Sequence, residues 1–293
     1  MDLHKNCILA TQLFAETLPI SSSTHVWIVD FLWTLFSKST ARRASEPIMD
    51  VLFLPTLVIL IFYFKSHARH LLSTLAQLIY RPSLHHVRWI FILLRVAGYL
   101  LASTLTFAIT YYGLRFLFSL EMKYIATPDA WIAQAIGLCA TGALLLSTYF
   151  TPRQHDAETP LTLSKSIFIG FLQGFAALPG ISRLGITLVA SRWVQLPPHR
   201  AFEFSTLLQI TVFLGNLFKN MLFPQHSFSP VIGYTTYLHA LTSFSWDNLL
   251  VMAIFAAASY QGLRFTKKLN SAKRLWQLSP YFLAPISILV LFH

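Results

Sequence analysis

The 293-residue chain contains few charged residues and little cysteine. Only 11% of its residues are Asp, Glu, Lys or Arg, whereas soluble globular domains carry about 25%. This deficit excludes an ordinary soluble enzyme, and the low charge also excludes a disordered chain. The two cysteines, Cys7 and Cys139, lie far apart in apolar segments. Their position excludes a disulfide scaffold and a cysteine-based metal or redox motif.

Apolar residues make up 55% of the chain, and the charged residues cluster between long apolar runs. This pattern is typical of helices that have hydrocarbon as their solvent. The sequence therefore predicts an all-α, polytopic membrane protein with a single integral membrane domain over residues 1–293. The predicted full spans are residues 48–64, 96–120, 130–150, 201–223, 248–263 and 281–293.

The net charge of +11 comes from 22 Lys and Arg against 11 Asp and Glu. In a soluble protein this excess would indicate nucleic acid as a partner. Here the basic residues stand in short segments beside apolar runs, where they orient spans and meet anionic headgroups. The expected partner is the lipid bilayer, and no nucleic-acid partner is expected.

Two further apolar stretches, residues 7–36 and 166–194, are interrupted near their middle. Pro19 and three serines break the first stretch, and Pro179 with Gly180 breaks the second. Each arm is roughly 20 Å long as a helix, too short to cross a bilayer. Broken segments are tolerated in membranes only where they are buried in protein or line a polar cavity. Each stretch is therefore predicted to form a re-entrant helix hairpin.

The two breaks occupy corresponding positions of two similar halves. Gln12-Leu-Phe-Ala precedes the first break, Gln173-Gly-Phe-Ala precedes the second, and each hairpin is followed by about three predicted spans. This pattern predicts two repeats, over residues 1–150 and 164–293. Interruptions at matching positions of two halves indicate a binding site between them.

The distribution of Lys and Arg predicts that the repeats are inverted. Residues 220–263 contain neither residue type and are assigned to the outside, whereas residues 264–274 contain five and are assigned to the cytoplasm. The first hairpin then opens outward and the second opens to the cytoplasm. Lys38, Arg42 and Arg43 fall outside in this scheme, against the usual rule.

Several polar residues near the breaks are costly in a membrane and are therefore functional candidates. Gln12 and Glu16 are four residues apart and share a helix face, although a glutamate satisfied by a neighbouring helix is the alternative. The serines begin a new helix, whose free N–H groups favour an anion. His25 can transfer a proton near neutral pH. The candidates at this break are Gln12, Glu16, Ser21, Ser22, Ser23 and His25.

The second break contains a positively charged side chain. Ser182 can cap the next helix, Arg183 carries a planar fork suited to phosphate oxygens, and Thr187 lies one turn further on. If both breaks meet, these residues surround one pocket. An anionic headgroup attached to a lipid tail is the expected occupant.

Two segments resemble the undecaprenyl-diphosphate phosphatase family, the integral-membrane type linked to bacitracin resistance. The segment from Gln12 to His25 is similar to the family's (E/Q)xxxE stretch followed by Leu-Pro, a serine run and His. The segment from Pro179 to Thr187 is similar to its PGxSRSGxT stretch, and Glu203-Phe-Ser matches a further pattern. Two departures occur. Thr24 stands where the family usually has Gly, and Leu184 stands where it usually has Ser.

The resemblance implies hydrolysis of undecaprenyl diphosphate to undecaprenyl phosphate and phosphate, which recycles the lipid carrier for cell-wall synthesis. It also implies interlocking inverted repeats, a dependence on Mg²⁺ or Ca²⁺, and a site on the outer side of the bacterial inner membrane. Arg183 would hold the diphosphate with Ser21, Ser23, Ser182 and Thr187. Gln12 and Glu16 would hold the cation.

The chemical step itself stays open at this point. His25 would act as general base on water or on a serine such as Ser22, and the sequence does not choose between the two. Inverted repeats with broken helices also build secondary transporters. A lipid-phosphate flippase is therefore the alternative function.

Overall fold

The computed structural model describes residues 3–37, 53–65, 69, 73, 84–119, 130–151, 159–222 and 246–291. These residues form helices and turns and contain no strand, as the all-α prediction requires. The described α-helices are α1 (Leu3–Glu16), α2 (Ser22–Ser37), α3 (Phe53–Tyr63), α4 (Leu84–Ser119), α5 (Ala130–Ser147), α6 (Leu163–Gly174), α7 (Arg183–Trp193), α8 (Pro198–Leu222), α9 (Trp246–Ser271) and α10 (Leu283–Leu291). Two 3₁₀ segments, Phe175–Ala177 and Leu275–Phe282, lie between them.

Two described helices are long and apolar enough to cross a membrane. They are Arg88–Leu117 within α4 and Pro198–Phe218 within α8. In the most apolar 18-residue segment of each helix, 11% of the first and 50% of the second is buried in the protein. Apolar side chains that point away from the protein are expected where lipid replaces water. The exposed large apolar residues of α4 include Phe91, Leu94, Leu101, Leu105, Ile109 and Phe116. The prediction of a helical membrane protein is therefore confirmed.

Within the described ranges, the helices that pass as spans do not match the six predicted spans one for one. The predicted spans 248–263 and 281–293 belong to one helix pair, Ala253–Ser271 and Leu275–Leu291, which is bent by 119° and passes as a span only when taken together. The bend follows the basic stretch, where Lys273 adopts a left-handed backbone with φ of 57°. The predicted span 130–150 corresponds to the shorter apolar helix Trp131–Ser147. The described part of the span 48–64 is α3, of 11 residues.

Both predicted breaks are present. Helix α1 ends at Glu16 and α2 begins at Ser22, while the second break separates the 3₁₀ segment after α6 from α7. The two helices on either side of each break pack against each other. The basic residues Lys38, Arg42 and Arg43, which the predicted topology placed outside, lie beyond the described part of the chain.

Each broken segment is held by a helix from the other half of the sequence. Helix α9 packs along α1, where Ser259 Oγ donates to the carbonyl of Leu13 at 2.8 Å. Helix α5 packs against α7, where Thr141 Oγ1 donates to the carbonyl of Gly180 at 2.9 Å and accepts from the amide of Ser182 at 3.1 Å. These buried hydroxyls satisfy backbone groups that a broken helix leaves unpaired.

Glycine is required at the second break. Gly180 has a φ of +83°, and a Cβ atom there would lie 2.4 Å from the backbone oxygen of Gln134. On the facing side, a Cβ atom on Gly137 would lie 1.8 Å from the carbonyl oxygen of Pro179. The break therefore lies directly against the backbone of α5, and its position relative to that helix is fixed.

Candidate active site

A cavity of about 150 Å³ lies between the two breaks. It is lined by Gln12, Glu16, Leu18, Ile20, Ser21, Ser22, Ser23, Ala176, Ile181, Ser182, Arg183, Leu184 and Gln209. Seven of the nine residues predicted from the sequence are therefore in one place. His25 and Thr187 do not line this cavity.

The Glu16 carboxylate is at the centre of a short hydrogen-bond chain. Its Oε1 accepts from Gln12 Nε2 at 2.8 Å and from Ser22 Oγ at 2.9 Å. Glu16 is only 8% exposed and Gln12 only 4% exposed, whereas Ser22 is half-buried at the start of α2. A hydroxyl that donates to a carboxylate in this way has a base ready to accept its proton.

The other serines of the first break contact each other, and Ser21 also contacts Thr24. Ser21 Oγ lies 3.0 Å from Thr24 Oγ1 and 3.3 Å from Ser23 Oγ. Thr24 is fully buried and also donates to Oε1 of Gln134 on α5. The threonine found where the family usually has glycine therefore links the start of α2 to another helix.

Arg183 is the first residue of α7, which Ser182 caps by accepting from the amide of Gly185 at 3.1 Å. The Arg183 guanidinium interacts electrostatically with the Glu16 carboxylate and lies 5.7 Å from the centre of the Phe213 ring. Its Nε is buried and has no hydrogen-bond partner among the described residues. A charged donor at a helix N-terminus that is left unpaired is suited to bind an anion. Leu184, where the family usually has serine, forms an apolar part of the wall.

The His25 ring does not face the polar cavity, where the sequence placed it, but lines the neighbouring apolar pocket. Its Nδ1 lies 2.5 Å from the carbonyl oxygen of Ser21, and its Nε2 lies 2.9 Å from the hydroxyl of Tyr281. Because a carbonyl only accepts, Nδ1 carries the proton and Nε2 of the neutral ring accepts from the tyrosine. No described contact joins His25 to Ser22 or Glu16.

The hydroxyl of Thr187 is used within its own helix. Thr187 Oγ1 donates towards the carbonyls of Arg183 and Leu184, at 2.9 and 3.1 Å. The residue is 1% exposed and is packed inside the protein. Its hydroxyl therefore contacts the backbone of Arg183 and does not face the cavity.

A larger apolar pocket of about 970 Å³ adjoins the polar cavity. Leu18 and Ile20 line both spaces, so the first break forms the wall between them. The remaining lining residues of the apolar pocket are Cys7, Ala10, Thr11, Phe14, Ala15, His25, Val29, Phe255, Ala258, Gln261, Gly262, Phe265, Leu278 and Tyr281. A polar cavity beside an apolar pocket of this size matches an amphipathic ligand.

Two residues at the site were missed by the sequence analysis. Gln209 on α8 lines the polar cavity, and its Nε2 donates to the backbone carbonyl of Glu16 at 2.9 Å. A glutamine inside the apolar run 201–223 is a signal that would have found it, because polar groups are costly there. Tyr281, the partner of His25, stands 256 residues away in sequence, and no local pattern marks it.

The cavity lining offers oxygen atoms of a carboxylate, of hydroxyls and of amides as potential metal ligands. Among the described residues, no group of three or more His, Cys, Asp or Glu side chains is close enough together to hold a metal ion. Any cation here would therefore depend on amide and hydroxyl oxygens as well as on Glu16.

The fold and the cavity define a helical membrane protein with a polar cavity beside an apolar pocket. The family model described as "Bacitracin resistance protein BacA" matches residues 10–284, and the chain belongs to this family. It is 29% identical over 251 residues to an undecaprenyl-diphosphatase of Saccharolobus solfataricus, with 84% of this chain and 79% of the relative covered. It is 31% identical over 208 residues to an undecaprenyl-diphosphatase of Treponema denticola, with 70% of each chain covered. An undecaprenyl-diphosphatase of Methanobrevibacter smithii is 27% identical over 223 residues, with 73% and 75% covered.

Proposed function

We propose that this protein hydrolyses undecaprenyl diphosphate to undecaprenyl phosphate and phosphate, and so recycles the lipid carrier for cell-wall synthesis. The observation that carries the proposal is one cavity that contains both the hydrogen-bonded Ser22–Glu16 pair and Arg183, whose Nε has no hydrogen-bond partner within the described ranges. A nucleophile, a base and an anion-binding donor are the groups that phosphoryl transfer needs. The relatives named undecaprenyl-diphosphatase support the same activity.

The apolar pocket supports a lipid substrate. A diphosphate bound in the polar cavity would be next to Leu18 and Ile20, and the pocket begins on their other side. The first isoprene units of the tail would bury apolar surface there, which favours binding. A soluble nucleotide or sugar diphosphate would leave this pocket unused.

In the serine route, Ser22 Oγ attacks the terminal phosphorus while Glu16 accepts the hydroxyl proton. The new Oγ–P bond replaces the P–O bond to the lipid monophosphate, which leaves as undecaprenyl phosphate. Water then adds its hydroxyl group to phosphorus, the Oγ–P bond breaks, and phosphate leaves. Glu16 returns the proton to Ser22 Oγ, and the second proton of the water is released to solvent. Arg183 stabilises the charge on the phosphoryl oxygens in both steps.

In the water route, Glu16 orients and deprotonates a water molecule, and Ser22 only binds the substrate. A rapid-quench experiment distinguishes the two routes, because only the first forms a phosphoserine at Ser22. Neither route uses the general-base role that the sequence predicted for His25, and that role stays a prediction. The contacts of its ring favour a positioning role, in which Nδ1 holds the Ser21 carbonyl at the start of α2.

The site residues fit the divalent cation that the family resemblance implies. Oxygen ligands suit Mg²⁺ and Ca²⁺, and Gln12 Oε1 is buried without a hydrogen-bond partner among the described residues. Gln12 and Glu16 would hold the cation. When bound, it would supply positive charge that offsets the charge of the diphosphate.

In the proposed arrangement the two broken segments are re-entrant hairpins of inverted repeats over residues 1–150 and 164–293. The site faces the outer side of a bacterial inner membrane. The support for this arrangement is the packing of each segment against a helix of the other half, together with the Lys and Arg distribution. Labelling of Ser23→Cys, in a chain with Cys7→Ser and Cys139→Ser, by an impermeant maleimide should occur from the outside only.

Phosphate release in detergent tests the activity. The wild-type protein should release phosphate from a polyprenyl diphosphate, EDTA should stop the release, and Glu16→Ala and Arg183→Ala should abolish it. Arg264→Ala is the matched control, because Arg264 is exposed and lies outside the cavity. No release from folded wild-type protein would reject the phosphatase. Transport of lipid phosphate in proteoliposomes would then support the flippase alternative.

A further inference from the structure

Gln209 has a buried oxygen atom that none of the described residues contacts through a hydrogen bond. The residue is 3% exposed on α8 and lines the polar cavity. Its amide donates to the carbonyl oxygen of Glu16 at 2.9 Å, and since a carbonyl only accepts, the atom facing it is Nε2. The orientation of the amide is therefore fixed. Its Oε1 is buried and has no hydrogen-bond partner in the described part of the chain.

Gln12 repeats this arrangement on α1. Its Nε2 donates to Glu16 Oε1 at 2.8 Å, and an ionised carboxylate only accepts, so the orientation of this amide is fixed as well. Gln12 Oε1 is a second buried oxygen at the cavity for which the described residues offer no hydrogen-bond partner. Both glutamines thus bind Glu16 through nitrogen.

Two amide oxygens that face the cavity without a described partner indicate what the cavity binds on this side. Buried oxygen atoms that line a cavity and have no partner are destabilising unless water or a ligand in that cavity satisfies them. A diphosphate cannot satisfy them, because its ionised oxygens only accept hydrogen bonds, as the amide oxygens do. A hard divalent cation can, since it takes neutral and charged oxygen ligands together.

We propose that Gln209 is the third protein ligand of a divalent cation that Gln12 and Glu16 also bind. The inference rests on the proposed function only for the role of the cation beside the diphosphate. Gln209 would join α8 to the first broken segment through the cation as well as through its hydrogen bond to Glu16. The site contains one carboxylate, so its affinity for the cation alone is expected to be weak.

Gln173 provides a matched control. It is fully buried on α6, and both of its amide atoms lack a hydrogen-bond partner among the described residues. It is not among the residues that line the cavity. Replacing it removes a buried amide of the same kind from another place.

The test is a titration of detergent-purified protein with Mn²⁺ in the absence of substrate, followed by the loss of the free Mn²⁺ electron paramagnetic resonance signal. Gln209→Met should weaken binding about tenfold or more. Gln209→Glu should tighten it, because it adds a charged oxygen. Gln173→Met should bind as the wild type does. Wild-type affinity in Gln209→Met would overturn the proposal.

Thermal unfolding without the cation establishes that each variant is folded. If Gln209→Met does not fold, the Mn²⁺ titration of Gln209→Glu tests the proposal instead. The proposal then fails if Gln209→Glu binds Mn²⁺ no more tightly than the wild type does. Phosphate release by the wild type separates this inference from the proposed function. Release together with unchanged cation binding in Gln209→Met rejects the ligand and keeps the phosphatase. Weakened binding without any release keeps the ligand and rejects the phosphatase.

Discussion

The hydrogen bond between Ser22 and Glu16 predicts that the two residues act as one unit. With Ser22 Oγ 2.9 Å from Glu16 Oε1, the glutamate is in direct reach of the proton that a serine nucleophile must lose. Glu16→Gln keeps the size and an acceptor oxygen but removes the base. We expect it to lower kcat by about 10²- to 10⁴-fold, which corresponds to roughly 3–5 kcal/mol of transition-state stabilisation.

Ser22→Ala removes the other member of the pair and should lower kcat to a similar extent. If the two residues form one catalytic unit, the double variant should be no slower than the slower single variant, because residues that act together are strongly non-additive. Independent contributions would instead multiply, giving a loss of about 10⁴-fold or more in the double variant. The assay is phosphate release at saturating polyprenyl diphosphate in detergent. Ser271→Ala, at an exposed serine away from the cavity, is the control.

A multiplicative loss in the double variant would refute the coupling inferred from this hydrogen bond. Rapid quench adds a second criterion. Wild-type protein should accumulate a phosphoserine at Ser22 in the first turnover, and Glu16→Gln should form it more slowly, by a factor at least as large as its loss in kcat. Full activity of Ser22→Ala would reject the serine route and leave direct attack by water.

Three further predictions concern the rest of the site. Arg183→Lys should lower kcat/KM by roughly tenfold or more, because an ammonium cannot provide the planar fork; phosphate release against substrate concentration measures it. Gly180→Ala should destabilise the protein by about 1–3 kcal/mol through its positive φ and the contact with Gln134, whereas Gly215→Ala, with open space around it, should not; thermal unfolding compares them. Tyr281→Phe should lower kcat/KM by no more than about tenfold, since it removes one neutral hydrogen bond; a larger loss would contradict the positioning role of its partner histidine.

Much of the site could be predicted because its signals are local. Proline, glycine and serine end and begin helices through their own backbone chemistry, so Pro19, Gly180 and Ser182 indicated both breaks without any knowledge of neighbours. A carboxylate or a guanidinium within an apolar run is costly, so Glu16 and Arg183 stood out for the same reason. All of the polar residues predicted at the breaks, except His25 and Thr187, line one cavity.

The two exceptions show where local reasoning ends. Spacing gave the helix face of His25 and Thr187 but not the partner that each side chain meets. The His25 ring turns to Tyr281, and the Thr187 hydroxyl bonds back to its own helix. Both outcomes depend on the direction of a side chain within a packed environment, which spacing alone does not fix.

The sequence by itself determined the helical membrane class, the two breaks and most of the polar residues beside them, because composition and backbone chemistry act within a few residues. Only the tertiary structure decided that Gln209 meets Glu16, across 193 residues of chain, and that the C-terminal helix pair bends by 119°. It also decided that an apolar pocket adjoins the polar cavity. These features arise where distant helices pack together, and the pattern of residues along one helix does not say which other helix that face will meet.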